Sequence, residues 1–229
     1  MKNHQKFETI FDNLGQRYGL HEVFSDFLTM LICAFSQGRM EKQYLETIRK
    51  YDKGHANIFA EALASLVIEM TGPDGAGFVD VLGEFYEKNL SFGRNGQFFT
   101  PQPICDMMVQ LMSPDGFKKR VADPACGSGR MLMAVAKINR YALFYGADND
   151  INCARMAVIN LCLNSMFGEI AWMNSLTNQF YGGWEIFPTF KGIPCIRAIS
   201  EKESHIHLQL PKSTAETTKI SQRQLHFEF

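Results

Sequence analysis

Apolar residues recur at helical spacing through the first ninety residues of the chain. One stripe is spaced i, i+3, i+4 and i+7, as on the buried face of a helix, and consists of Phe7, Ile10, Phe11 and Leu14. The run at 23–35 is apolar on nearly all sides, which predicts a helix at the centre of a bundle. Similar stripes follow, so this part of the chain is predicted to be all-helical.

From residue 92 onward, short apolar runs alternate with helical stretches. Strands are predicted at 121–122, 143–147 and 170–173, with helices between them at 131–139 and 151–164. This alternation is typical of a parallel sheet with crossover helices, the α/β class. We expect a helical domain over 1–91, an α/β domain over 92–210 and a polar, mobile tail over 211–229.

Two further elements are predicted at the ends of the α/β region. A helix after Thr100 is expected to bury one side, made of Ile104, Met107, Met108 and Leu111. Near the other end, Ile206, Leu208 and Leu210 alternate with polar residues, as in a strand with one buried face.

Composition narrows the functional classes. Hydrophobic residues make up 46% and charged residues 21% of the 229, as in a globular protein. No apolar run approaches the ~20 residues of a membrane span, and the first residues lack a signal sequence, so a cytoplasmic location without a membrane is expected. The net charge of −1 disfavours DNA binding by this chain alone, because phosphate contacts need a surplus of cations. Six scattered cysteines are expected to be reduced and buried, and no metal site is predicted.

A loop rich in glycine follows the first predicted strand. Its sequence is Asp-Pro-Ala-Cys-Gly-Ser-Gly, at 123–129, and a helix follows it. Gly127 and Gly129 allow the backbone to pass close to a ligand, and the carboxyl ends of such strands are where nucleotide-like ligands bind. A phosphate cradle would favour a lysine here, whereas Asp123 suits the ammonium of a zwitterion. The loop therefore favours the methionine part of S-adenosylmethionine (SAM), with Ser128 and helix-opening amides as further polar contacts.

The second and third strands also end in polar residues. Asp148 is predicted to hold the two ribose hydroxyls, since an acid at this distance from the glycine loop has that role in related nucleotide sites. The helix that follows needs an N-cap, for which Asp150 and Asn149 are candidates and Asp150 is preferred. Asn174 could accept a hydrogen bond from the adenine amine, although an Asn-Ser pair at a strand end is also typical of a plain turn.

These segments together resemble the N6-adenine DNA methylase family, in particular the modification subunits of type I restriction systems. The loop at 123–129 is similar to the family's first motif. Residues 96–101, Gly-Gln-Phe-Phe-Thr-Pro, resemble the segment that closes over the methionine end of the cofactor, and residues 80–87 resemble the helix before it.

The resemblance implies a Rossmann-like SAM-dependent methyltransferase core, preceded by a helical domain, in a DNA restriction-modification system. It also implies a set of cofactor-binding residues, in which the second and third strand ends match the family's next two cofactor positions: Phe98, Thr100, Pro101, Asp123, Ala125, Gly127, Ser128, Gly129, Asp148, Asn149, Asn174 and Leu176.

The family's catalytic motif is missing from the sequence. The family places Asn/Asp-Pro-Pro-Tyr/Phe after the third strand, where it accepts hydrogen bonds from the adenine amine and stacks on the flipped base. The chain has eight prolines and no two are adjacent, and the segment at 187–195 has no Asn or Asp before a proline. Asn178 with an aromatic at 180, 181 or 184 is a remote substitute, but packing of these aromatics is the preferred interpretation. The chain after residue 176 has room for about two strands, three at most, so a shortened sheet without a recognition region is expected.

Three hypotheses of function stay open on this basis. The first is a DNA adenine methylase whose base-binding residues are divergent or come from a partner subunit. The second is a non-catalytic SAM-binding relative that acts as a regulatory or assembly subunit. The third is a methylase of protein glutamine or of small molecules, although glutamine methylases use the same missing tetrapeptide. Separately, the residues at 224–229 resemble peptides that dock on bacterial sliding clamps, while a frayed end is the alternative.

Overall fold

The computed structural model of the protein describes residues 6–91, 99–112 and 120–207. The helices in these ranges are α1 (Phe7–Tyr18), α2 (Leu20–Ala34), α3 (Glu41–Ile48), α4 (Lys53–Thr71), α5 (Val81–Tyr86), α6 (Gln102–Met112), α7 (Arg130–Ile138) and α8 (Ile151–Leu163). A π-helical turn, Glu87–Ser91, continues α5. The strands are β1 (Arg120–Asp123), β2 (Leu143–Asp148), β3 (Phe167–Asn174), β4 (Gln179–Pro188) and β5 (Pro194–Ile199).

The helices before residue 92, α1 to α5, form the helical half of the protein. They pack around a cluster of phenylalanines. The predicted stripe of α1 is confirmed, since its four apolar residues are at most 4% exposed. Phe11 of α1 lies 5.1 Å from Phe27 of α2 and 5.3 Å from Phe85 of α5, measured between ring centroids. Aromatic pairs at such distances add to the hydrophobic stabilisation of a core. The cluster fixes α5, which leads toward the glycine loop.

The sheet has five strands in the order β1-β2-β3-β4-β5. β1, β2 and β3 are parallel neighbours, as predicted, whereas β4 runs antiparallel to β3 and β5 antiparallel to β4. The predicted α/β class, the shortened sheet and the two strands after residue 176 are thereby confirmed for the described residues. Helix α8 contacts both the sheet and α2, and one hydrophobic cluster joins residues of the helical half to residues of the sheet.

The predicted buried side of α6 is wrong. The helix packs on α7 through Cys105 and Val109, which are at most 1% exposed, whereas the four predicted residues are 41–77% exposed. Apolar residues occupy both sides of α6, so the spacing could not indicate which side packs.

The end of the described chain also differs from the prediction. Residues 205–207 form bends instead of a strand, because Glu169 accepts hydrogen bonds from the backbone amides of His205 and Ile206 and so holds the segment across the sheet. Leu208, Leu210 and the tail at 211–229, with its clamp-like peptide, lie outside the described residues.

All six cysteines are free and buried, as predicted. Burial raises the pKa of five of the six thiols: those of Cys33, Cys105, Cys126, Cys153 and Cys162. In the described part of the chain, no helix combines the length and apolarity needed to cross a membrane.

Candidate functional site

The predicted polar residues meet at one edge of the sheet. Because β1, β2 and β3 are parallel, their carboxyl ends lie side by side, at Asp123, Asp148 and Asn174. In the strand register Asp123 pairs with Gly146, and Asp148 pairs with Trp172. The three residues therefore lie at the same edge of the sheet, and their roles toward a cofactor stay predictions.

The glycine loop is tied to the two neighbouring strands. The amide of Gly127 donates to the Asp148 carboxylate at 2.9 Å, and the amide of Cys126 donates to the carbonyl of Ala147 at 2.9 Å. The Ser175 hydroxyl, just after β3, donates to the carbonyl of Pro124 at 2.7 Å. These contacts place the loop directly beside the predicted ribose-binding acid.

Glycine is required at both positions of the loop where it was predicted. Gly127 and Gly129 have φ values of +54° and +85°, a backbone region that favours glycine. A Cβ on Gly127 would also lie 3.0 Å from the ring of Phe99. The ring of Phe99 therefore packs against the backbone of Gly127.

The carboxylates at this edge lie in a partly desolvated environment. Burial raises the pKa of Asp123, and the hydrogen bond from the amide of Ala125 opposes this only in part. Burial likewise raises the pKa of Asp148, against the hydrogen bonds that it accepts from the amides of Asp150 and Gly127. A cationic ligand would lower both pKa values, because an opposite charge favours the ionised carboxylate.

The residues around Asp148 have distinct structural roles. The Asp150 carboxylate accepts hydrogen bonds from the amides of Asn152 and Cys153, so the prediction that it caps α8 is confirmed. The carbonyl of Asn149 accepts a hydrogen bond from the indole of Trp172 at 3.1 Å.

The third strand ends in a turn held by a side chain. The Asn174 side-chain oxygen accepts hydrogen bonds from the amides of Leu176 and Thr177, at 3.0 and 3.1 Å. Asn174 thus forms the turn that was the alternative interpretation, and its role toward an adenine stays a prediction. Leu176 is 99% exposed beyond this turn.

The segment before α6 is only partly described. Phe98 lies outside the described residues. Thr100 and Pro101 are exposed, and the carbonyl of Thr100 accepts a hydrogen bond from Arg130 at 3.1 Å. Ala125 is exposed in the loop, whereas Ser128 is 1% exposed. The hydroxyl of Ser128 donates to Asp80, on the side of the loop that faces the helical half.

Asp80 is a site residue to which sequence reasoning assigned no role. It lies 2% exposed at the start of α5, and both of its carboxylate oxygens accept hydrogen bonds. One oxygen accepts from Ser128 at 2.5 Å and from Arg130 at 2.8 Å. The other accepts from the amide of Gly83 at 3.0 Å and from the side chain of Asn160 at 2.9 Å. The available signal was an acid between apolar residues in the segment at 78–82.

Arg130, the first residue of α7, extends this network to two more segments. Its guanidinium donates to Glu87 in the π-helical turn at 2.8 Å and to the carbonyl of Thr100. It also lies 5.6 Å from the centre of the Phe99 ring. Its ionic partners, Asp80 and Glu87, raise the pKa of Arg130 against the opposing effect of burial.

The residues considered as a substitute for the missing motif mostly pack. Trp184 is 9% exposed in the main core, and Phe180 packs against Ala171 and Met173 on the other sheet face, as the preferred interpretation predicted. Tyr181 is 41% exposed, with its ring 5.1 Å from that of Trp172.

The segment at 187–195 lies at the opposite edge of the sheet. It forms the turn between β4 and β5, where Pro188 pairs with Pro194. Since β4 is antiparallel to β3, this turn is near the amino end of β3, away from Asp123 and Asp148. The segment that corresponds in sequence to the family's catalytic motif therefore lies away from the predicted cofactor edge.

Comparison with known proteins identifies the region that carries this site. Residues 78–187 match the family model described as N-6 DNA Methylase. The match begins just before Asp80 and ends within β4, so it contains the glycine loop and the three polar strand ends. The predicted resemblance to the N6-adenine DNA methylase family is confirmed.

Two curated relatives are methylase subunits of type I restriction enzymes. The HindI methylase subunit of Haemophilus influenzae is 31% identical over 108 residues, which cover 41% of this chain and 24% of that protein. The MjaVIII methylase subunit of Methanocaldococcus jannaschii is 28% identical over 95 residues, which cover 38% of this chain and 16% of that protein. The match thus spans at most a quarter of the length of these relatives.

Two solved structures align with most of the chain at low similarity. One is a type I restriction-modification methyltransferase subunit from Streptococcus thermophilus, with a TM-score of 0.36, 18% identity and coverage of 70% of this chain and 36% of that chain. The other is a putative class I SAM-dependent methyltransferase from Listeria monocytogenes, with a TM-score of 0.36, 17% identity and coverage of 66% and 51%.

Proposed function

Because residues 78–187 match the N-6 DNA Methylase family model, we propose that the protein binds SAM for methylation of adenine N6 in DNA. The observation that carries the proposal is the direct contact of the glycine loop with Asp148 at the carboxyl ends of β1 and β2. In this proposal the loop at 123–129 holds the methionine end, and Asp148 binds the ribose.

The chemistry of the site fits this cofactor. SAM carries a net positive charge on its methionine part, and Asp123 and Asp148 are half-buried carboxylates whose pKa values are raised by burial. A cation relieves the unfavourable desolvation of both acids. The loop, which needs glycine at 127 and 129, lets a ligand lie against its backbone. When bound, SAM supplies an electrophilic methyl group on its sulfonium.

We also propose that DNA is the methyl acceptor and that a partner subunit takes part in the reaction. In the transfer, the adenine N6 gains the methyl group, the carbon–sulfur bond breaks and the amine loses one proton. Residues that accept this proton or stack on the base are not assigned in this chain. We propose that a partner protein, a specificity or catalytic subunit, supplies these contacts. The same partner would bind the DNA, because a net charge of −1 disfavours DNA binding by this chain alone.

One observation favours a second candidate function. Adjacent prolines are missing from the sequence, and the segment at 187–195 lies away from the cofactor edge. The second candidate is a non-catalytic SAM-binding relative, a regulatory or assembly subunit of a DNA-modification system. Both candidates require SAM binding, and they differ in whether the bound methyl group is transferred.

Calorimetric titration of the purified chain with SAM tests the shared part of both candidates. We expect binding by the wild-type chain and loss of binding in Asp123→Ala and in Asp148→Ala. Asp106→Ala is the matched control, because it removes an exposed acid on α6 that pairs with Lys137 instead of lying at the strand ends. Absence of binding by the wild-type chain contradicts the proposal.

Transfer is tested with radiolabelled SAM and DNA, with and without subunits encoded beside the protein. Label on DNA adenine that disappears in Asp123→Ala supports the methylase. SAM binding without transfer, in every combination, favours the regulatory or assembly subunit.

A further inference from the structure

Asp80 binds four residues, three of which lie 48, 50 and 80 residues away in the sequence. Its partners are Gly83 in α5, Ser128 in the glycine loop, Arg130 in α7 and Asn160 in α8. Asn160 donates a second hydrogen bond to the carbonyl of Ser128 at 2.9 Å. Asp80 and Asn160 thus hold both the hydroxyl and the carbonyl of one loop residue.

The Asp80–Arg130 pair also contacts the residues that lead into α6. With one nitrogen bound to Asp80, the Arg130 guanidinium donates to the carbonyl of Thr100 and lies against the ring of Phe99. Phe99 in turn covers Gly127. One buried ion pair therefore connects the glycine loop with Phe99 and Thr100.

Stability alone is a weak explanation for such a pair. Both side chains are at most 8% exposed, and removing two charges from water costs about as much as their attraction returns. Packed apolar residues of similar volume would often stabilise a fold equally well. The ion pair instead fixes the relative positions of its neighbours, because the planar guanidinium holds several hydrogen-bond acceptors in one geometry.

The close packing of α5 supports the same interpretation. A Cβ on Gly83 would lie 2.1 Å from the carboxylate of Asp80 and 2.6 Å from the hydroxyl of Ser128. The helix can approach the glycine loop this closely because residue 83 has no side chain. The helical half thus reaches the back of the loop directly, through α5.

We propose that Asp80 is a positioning residue for the methionine end of SAM, acting through Ser128 on the glycine loop and through Arg130 on Phe99 and Thr100. The inference rests on the proposed function. It makes the helical half part of the cofactor site, although Asp80 itself is buried behind the loop. Asp80 acts directly on Ser128 and Arg130, whereas Asp148, proposed to bind the ribose, contacts the loop at Gly127.

The test compares two probes, SAM and adenosine, which has the ribose and the base but lacks the methionine arm. The variant Asp80→Asn keeps the size of the side chain and removes its charge. We expect its affinity for SAM to fall on the order of tenfold, as for other residues that orient a binding group from behind. Its affinity for adenosine is expected to stay within about threefold, since the groups that bind adenosine are untouched.

Glu84→Gln is the matched control. Glu84 is an exposed acid on α5, one position from Gly83, and Asp80 and Arg130 both influence its pKa. The control removes the same charge from the same helix without removing a hydrogen bond to the loop. We expect it to bind both probes as the wild type does.

Arg130→Lys provides a second variant if Asp80→Asn folds poorly. Lysine keeps the charge beside Asp80 but lacks the fork that reaches Glu87 and Thr100 together. We expect the same selective loss of SAM affinity, measured by calorimetry at a temperature where circular dichroism shows a folded chain.

Three results would overturn the inference. Unchanged SAM affinity in a folded Asp80→Asn or Arg130→Lys would show that the pair serves the fold alone. An equal loss for SAM and adenosine would show a general disturbance of the site. A wild-type chain that binds adenosine or nothing, but not SAM, would refute the proposed function and this inference with it. Wild-type binding with unaffected variants refutes only this inference.

Discussion

The two sides of the glycine loop at 123–129 are built differently. On the side that faces the helical half, Asp80 is 2% exposed and accepts four hydrogen bonds from protein groups. On the side at the carboxyl ends of the strands, Asp123 is half-buried, accepts one hydrogen bond from a backbone amide and has a raised pKa. Folding therefore supplies hydrogen-bond donors to the carboxylate of Asp80, on the inner side of the loop. The carboxylate of Asp123, on the outer side, would be stabilised by a nearby cation.

The glycine loop thus has a structural side and a binding side. The inner side gives the loop a fixed shape, which a binding site needs from its supporting residues. The outer side keeps acids that are unfavourable for the unliganded fold, as is common where binding competes with stability. Substitutions on the two sides should therefore change stability in opposite directions.

The largest expected effect is that of Asp80→Ala. It leaves the buried guanidinium of Arg130 with Glu87 as its remaining acid, and loss of one partner of a buried pair costs about 3–5 kcal/mol. The free energy of unfolding in urea measures this loss. Asp106→Ala, which breaks an exposed pair with Lys137, should cost at most about 1 kcal/mol. An equal loss of unfolding free energy in both variants would show that the Asp80–Arg130 pair is no more important for the fold than the Asp106–Lys137 pair.

A smaller loss is expected for Gly83→Ala. The added methyl group would collide with Asp80 and Ser128, and crowding of this kind costs about 1–3 kcal/mol. Gly54→Ala in α4 is the matched control, because nothing lies within 4 Å of the added carbon. Alanine favours a helix over glycine by up to about 1 kcal/mol, so this control should be neutral or stabilising. Stabilisation by both variants would show that α5 is not pressed against the loop.

The smallest effect, with the opposite sign, is expected for Asp123→Asn. Asparagine can still accept the hydrogen bond from Ala125 but carries no charge to desolvate. The folded-state pKa of Asp123 lies above its ordinary value, so the wild type is at a disadvantage above that pKa. At pH 7 the unliganded variant should melt up to about 4 °C higher than the wild type.

The pH dependence checks the cause of that shift. As the pH falls through the raised pKa, Asp123 of the wild type takes up a proton, and the difference between the melting temperatures should shrink toward pH 4. A difference that is constant from pH 7 to pH 4 would mean that the charge of Asp123 is not its source.

The parts predictable from sequence are those that depend on neighbouring residues. The strand at 143–148 and the helix at 151–163 follow from local apolar patterns, and the Asp150 cap follows from its place before that helix. The glycines at 127 and 129 were recognisable as positions where the backbone can pass close to a ligand, and the structure adds that both have positive φ.

The parts that escaped prediction depend on distant partners. Whether Cys105 or Ile104 marks the buried side of α6 is decided by α7, and both sides of α6 carry apolar residues. The antiparallel course of β4 depends on pairing with β3, which its own alternation does not reveal. Asp80 caps α5 in the structure, but its other partners, which the sequence does not indicate, are 48, 50 and 80 residues away.

The sequence separation between Asp80 and its partners also determines the order in which these residues are synthesised. Asp80 leaves the ribosome well before Ser128 and Arg130, and Asn160 follows last. At about 5–20 residues per second, the nascent chain carries an unpaired acid at a future core position for several seconds. The helical half can collapse around its phenylalanines in that time, but the loop cannot take its final shape until α8 has emerged. Completion of the site is therefore a late step of folding, set by chain length more than by local helix or strand formation.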